Sequence, residues 1–135
     1  MAQRTWLESP KTLDRKVYEL NVVFYPQGTS NTAYTVSAGT MVGGKGIASV
    51  VRNGSAGEWL ITLQDSYKRL LKRGGSIQMA AATDLSLQFA TIANVGTGSP
   101  PTILVRALAG ATPTDIAANA NNSISISLTF SDADT

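Results

Sequence analysis

The chain has 135 residues and a formal net charge of +2; it is 43% hydrophobic, only 15% charged, and contains no cysteine and no histidine. That length suits one domain with a single core, and the missing residues exclude disulfide frameworks, thiolate or imidazole metal sites, cysteine nucleophiles and every histidine-based triad or acid–base relay. Ser, Thr, Gly and Ala supply much of the remainder, so the surface must be covered largely by neutral polar groups, a weakly repulsive covering suited to packing against other protein.

Residues 1–14 (MAQRTWLESPKTLD) follow neither a strand nor a helix period and hold the apolar pair Trp6-Leu7. They read as an extended arm ahead of a single β-rich domain over 15–135. One Trp and one Leu offer little burial against the entropy of ordering fourteen residues, so the arm needs a partner surface. Either a neighbour's pocket takes Trp6, a residue type enriched at interface hot spots, or the arm folds back on its own domain. Arg4, Trp6, Leu7 and Lys11 are its candidate contact residues.

Residues 16–25 (KVYELNVVFY) alternate with period two and predict a strand, closed by Pro26 and Gly28. Residues 32–36 predict a weaker one. Residues 39–46 hold four glycines and lead into the β-branched run 47–51; Asn53-Gly54 is a hairpin signal, and EWLITL at 58–63 supplies the returning strand. From Asp65 a short helix is predicted, with Tyr67, Leu70 and Leu71 on one face, Lys68, Arg69, Lys72 and Arg73 on the other, and Gly74-Gly75 as its stop. Residues 76–82 and 85–92 predict two more strands, the second turning Leu85, Leu87, Phe89 and Thr91 to one side. A loop at 96–101 precedes a buried strand over 102–108. Residues 110–122 predict a small-residue loop with one helical turn near Thr114. The last strand is regular, with Ile124, Ile126, Leu128 and Phe130 inward and Ser123, Ser125, Ser127 and Thr129 outward. The total is seven or eight strands and one short helix, a mainly β chain whose tight turns favour an antiparallel β-sandwich, jelly-roll-like or barrel architecture.

Charge is uneven along the chain: residues 1–75 carry ten of the eleven Lys and Arg and five of the nine acids. Such polarity either supports head-to-tail contacts between copies or is mixed out by folding, the simpler expectation. No apolar run reaches the roughly 20 residues that span a bilayer, and charges interrupt the first thirteen residues where a signal peptide would be apolar, so the protein is expected in the cytoplasm where it is made, without a membrane partner.

The run 39–46 (GTMVGGKG) approaches a phosphate-binding loop but has Gly46 where the chemistry needs a Ser or Thr hydroxyl, and a β-branched run where it needs a helix. It predicts a strand connection. The Asn53-Gly54-Ser55 and Asn121-Asn122-Ser123 triplets are turn residues. Lys68, Arg69, Lys72 and Arg73 form a candidate basic surface, but no aromatic residues interleave with them to stack bases, so nucleic acid is not expected. The carboxylates Asp14, Glu19, Glu58, Asp65, Asp84 and Asp115 show no spacing that would pair two of them for hydrolysis. No catalytic, cofactor or metal residue is predicted, and the chain is expected not to be an enzyme.

The runs ELNVVFYPQGTSN, GGKGIASVVRNGSAGEWLITLQDSY and VRALAGATPTDIAANANNSISISLTFSD, which span most of the chain after the arm, resemble small virion structural proteins of tailed bacteriophages. The resemblance implies a β-rich decoration or cement protein on the capsid exterior, seated at symmetry axes as a homo-oligomer, with a trimer favoured, and partnered by the major capsid protein or another virion protein. Its role would be to bridge adjacent coat subunits. Two alternatives stand beside it: a tail, tail-tip or head-fibre component, and a carbohydrate- or host-surface-binding sandwich module. The last needs exposed aromatics, for which Trp59, Tyr34 and Tyr67 are the candidates, although Trp59 lies in a strand that predicts burial.

Overall fold

The structure, a computed structural model, describes residues 17–132. The arm residues Arg4, Trp6, Leu7 and Lys11 lie outside this range. Strand β1 (Val17–Phe24) alternates as its sequence dictates, with Leu20, Val22 and Phe24 buried, and Pro26, which lacks an N–H for the ladder, follows shortly after it. Then come β2 (Met41–Gly43), β3 (Ile47–Arg52), β4 (Glu58–Leu63), β5 (Arg69–Gln78), β6 (Ser86–Ala93), β7 (Thr102–Ala109), the two-residue β8 (Thr112–Pro113) and β9 (Ser123–Ser131). Among the described residues there are nine strands and no helix.

The strands form two antiparallel sheets, one ordered β2-β1-β9-β5 and the other β3-β4-β7-β6, with β8 paired to the end of β7. Neither sheet closes into a barrel. The alternating residues of both sheets meet in one core, in which Trp59, Phe24, Phe130, Ile61, Ile103 and Leu128 are the large, fully buried members. Phe24 lies between Tyr34 and Trp59, at ring-centroid distances of 5.4 and 6.0 Å. Trp59, Tyr34 and Tyr67 are all core residues, so none of them presents the exposed platform that a sugar site needs.

The predicted helix after Asp65 is overturned. Its residues enter β5, which pairs along its length with β9 from Arg69↔Ser131 to Gln78↔Ser123. The helix-like spacing has a local cause: a bulge between Leu70 and Lys72 inserts Leu71, half exposed, into a strand otherwise read with period two. An isolated helix of two to three turns is marginal, whereas this pairing satisfies a full ladder. The glycines expected to stop the helix are strand residues. A Cβ on Gly75 would stand 2.6 Å from Leu87 Cδ2 and 2.6 Å from the Ser125 carbonyl oxygen, so this glycine lets β5 pass close to β6. The strand expected over 76–82 is the tail of β5 and ends at Gln78.

Three smaller expectations also fail. Residues 32–36 form no strand: the loop carries Tyr34 into the core, and the Tyr34 N–H donates to the Val50 carbonyl at 2.9 Å. No helical turn occurs near Thr114, because the preceding residues pair with β7 as β8. A bulge between Phe89 and Thr91 turns Thr91 away from the side that Phe89 occupies, and Ile92 takes the inward place opposite Ile103.

Candidate functional site

Arg52 occupies an inward position of β3, two residues after the fully buried Val50, and is itself 8% exposed. A guanidinium at such a place requires a carboxylate, and Asp115 supplies it from the loop after β8. Arg52 Nε donates to Asp115 Oδ1 and Nη2 to Oδ2, both at 2.8 Å, while Nη1 donates to Asn31 Oδ1 at 2.8 Å. The Gly57 N–H donates to the same Asp115 Oδ1 at 2.9 Å. Gly57 sits at φ +66, and a Cβ there would be 2.4 Å from the Thr114 nitrogen, so only glycine lets the hairpin connection meet this loop. The Arg52 guanidinium and the Gly57 N–H together hold the Asp115 carboxyl below its ordinary value, against the opposing effect of burial.

Next to this lock, Trp59 Nε1 donates to the Tyr34 hydroxyl at 2.9 Å and the Gln27 N–H donates to it at 3.3 Å. Burial pushes the Tyr34 hydroxyl above its ordinary value. These bonds fasten the loops around residues 25–40 and 110–122 to the β3–β4 hairpin. Chemically the cluster is occupied: both Asp115 oxygens are taken up by donors, and Arg52 spends three nitrogens on side-chain acceptors. It positions backbone at the β3–β4 connection and in the two loops.

The other acids behave similarly or stand apart. Glu58 accepts from Arg106 Nε at 2.7 Å across the β4–β7 pair. Glu19, Asp65 and Asp84 are exposed, and Asp14 lies outside the described residues. Among the described residues no group of three or more His, Cys, Asp or Glu is placed to hold a metal ion.

The candidate basic surface is divided because its residues lie on or beside a strand and not on a helix face. The Lys68 N–H donates to Asp132 Oδ1 at 3.1 Å just before β5 begins. Arg69 and Lys72 stand in register with Ser131 and Thr129 on the outer side of their sheet. Arg73 is in register with inward-facing Leu128, and its guanidinium lies 5.9 Å from the centroid of the Phe89 ring in the other sheet. Cations along the edge strand β5, together with its bulge, are the usual protection of an exposed sheet edge against pairing with another chain.

The remaining feature is the outer face of the sheet β2-β1-β9-β5. Register places residues in rungs across it. One rung reads Val42, Val23, Ser125, Ser76; the next reads Asn21, Ser127, Gly74. Neither rung carries a charge, and charge returns one rung further on with Glu19, Thr129 and Lys72. The two rungs line a shallow groove of about 610 Å³. Val42 on its rim is 54% exposed, and nothing lies within 4 Å of the position a Gly74 Cβ would take.

Sequence reasoning anticipated the outward serines of β9 but not this groove, which depends on β5 being a strand. It also missed the Arg52–Asp115 lock, whose partners are 63 residues apart. An Arg at an inward position of an otherwise apolar strand was the available signal. Comparison of the chain with protein-family models, with curated proteins and with solved structures returned no match.

Proposed function

We propose that the chain is a non-enzymatic structural protein of a tailed-phage virion that decorates or stabilises the capsid by bridging coat subunits. The observation that carries this reading is the pair of uncharged rungs on the outer face of the four-stranded sheet, a neutral surface of small side chains with valines at its rim. A protein whose buried ionic groups are committed to holding loops, and which presents two uncharged rungs over a shallow groove, works through contacts. The two sheets form a sandwich that presents this face, and the domain sits on the capsid exterior as a homo-oligomer, a trimer at symmetry axes, where many identical modest contacts sum through avidity. The major capsid protein is the partner, and the arm with Arg4, Trp6, Leu7 and Lys11 clamps a coat subunit or the next copy.

Imaging of virions with and without the protein tests the assignment. Density lost from capsid symmetry axes is the expected result; density lost only from the tail makes the protein a tail component instead. In parallel, deletion of residues 1–12 is expected to leave a folded protein that no longer binds capsids. A truncated form that saturates capsids with unchanged affinity removes the arm from the mechanism.

A further inference from the structure

At the end of the sandwich where β1 begins and β9 ends, the connection between β4 and β5 meets the loop after β6. The Gly96 N–H donates to the Tyr67 carbonyl at 2.8 Å, and Asp132 is drawn to the same place by the Lys68 N–H. Between these segments lies a hollow of about 320 Å³ lined by Tyr18, Asp65, Ser66, Tyr67 and Asp132. An adjoining hollow shares four of these residues and extends to Lys68, Gly96 and Gly98.

Tyr67 is the unusual member. It is 5% exposed, its ring stacks on Phe130 at a centroid distance of 4.6 Å, and the Tyr18 ring packs against it at 5.6 Å, so the ring is held in place. Tyr34, the other buried tyrosine, has a hydroxyl that accepts two hydrogen bonds. Among the described residues the Tyr67 hydroxyl has no hydrogen-bond partner. A hydroxyl on so buried a side chain is costly to leave unmet, and this one belongs to a residue lining a hollow beside two carboxylates. Burial pushes it above its ordinary value, and the charges of Asp65 and Asp132 push it the same way, so the phenol stays neutral at physiological pH. Lys68 is not among the charges that act on it and has an interaction of its own.

We propose that this hollow binds a primary alkylammonium group, the head of a small amine or of a lysine side chain. An ammonium carries three N–H donors, and the hollow offers the Tyr67 hydroxyl oxygen and the carboxylates of Asp65 and Asp132 as acceptors, two of them charged. Tyr18, 43% exposed, supplies an aromatic wall for the cation and the methylenes behind it. A calcium ion fits less well, since it takes about six to eight oxygen ligands and the carboxylates here number two beside a neutral phenol. The site is independent of the virion role, and its test needs no capsid.

The full chain is titrated with n-butylammonium chloride at constant ionic strength and followed by amide resonances. Those of Gly96 and Gly98 are expected to shift saturably, and to stay in place with sodium chloride or with n-butanol, which has the same chain and no charge. Tyr67→Phe removes only the hydroxyl and is expected to weaken binding about tenfold, with the urea midpoint unchanged or raised. Asp65→Asn and Asp132→Asn should each weaken it by a similar factor, whereas Asp84→Asn, at an exposed acid outside the hollow, should leave it unchanged. N-acetyl-lysine methylamide and putrescine then separate the two sources: tighter binding of the first assigns the site to a partner's side chain, of the second to a free amine. The absence of a saturable shift, an equal response to n-butanol, tighter binding of calcium, or unchanged affinity in Tyr67→Phe overturns the proposal. A Tyr67→Phe chain with a lowered urea midpoint also overturns it, by showing that the hydroxyl serves the fold.

Discussion

Two regions of the molecule treat polar groups in opposite ways. Around Arg52 and Asp115 charged atoms are withdrawn from water, and the bonds they make reach three separate segments of chain. On the outer face of the four-stranded sheet, Ser76, Ser125 and Ser127 stand beside Val23 and Gly74 with no charge among them. The first arrangement specifies a single placement for two long loops, since a slip would strand a buried charge. The second specifies little about the fold, because small outward side chains tolerate replacement. Cohesion and contact are thereby separated: one end of the molecule can be held rigidly while the face stays free for another surface.

The largest effect should come from breaking the interior side of this contrast. Trp59→Ala removes a fully buried indole and takes away the shorter of the two hydrogen bonds that the Tyr34 hydroxyl accepts. Urea denaturation should show a loss of about 3–5 kcal/mol, and a loss below about 1 kcal/mol would mean that the core collapses around the gap.

A smaller effect, read through pH, isolates the ion pair. Asp115 is held below its ordinary value of 3.8, so its contribution is full above that value and disappears as pH falls through the lowered folded value. Tyr34 is raised above 10.0, so its contribution is present below pH 10.0 and is lost as pH rises through the raised value. Thermal unfolding followed against pH should therefore show a plateau that falls at both ends. Asp115→Asn should lower the plateau and flatten the acid limb. Acid limbs of equal slope in the two proteins would assign the acid loss to other carboxylates.

The smallest effect belongs to the outer face. Ser125→Ala should change unfolding free energy by no more than about 0.5 kcal/mol. A loss of 2 kcal/mol would show that this face is cohesive and would erase the contrast.

The same contrast explains what could be read in the sequence. β1 and β9 were legible because their period-two pattern runs uninterrupted, with Ile124, Ile126, Leu128 and Phe130 all buried. β5 was not, because the inserted Leu71 mimics helical spacing and Gly74-Gly75 imitates a helix stop. Ladder pairing with β9 is non-local, so no window around residues 65–75 contains it. β6 failed only at Thr91, again through a bulge. Of the site, the outward serines were legible; the Arg52–Asp115 lock joins residues from opposite halves of the chain and left only the misplaced arginine as a sign.

The position of β9 carries one more consequence, for the order in which the molecule can be assembled. It is the ninth strand in the sequence, yet it lies inside its sheet, between β1 and β5, with Val17 facing Ser131. While a nascent chain still lacks residues 123–131, both neighbours of that gap present open edges, the state in which β proteins are most prone to aggregate. Folding of this sheet must therefore wait for nearly the whole chain, and pairings of such wide sequence separation are slow to form. Seen this way, Arg69 and Lys72 along β5 guard the unfinished molecule as well as the finished one.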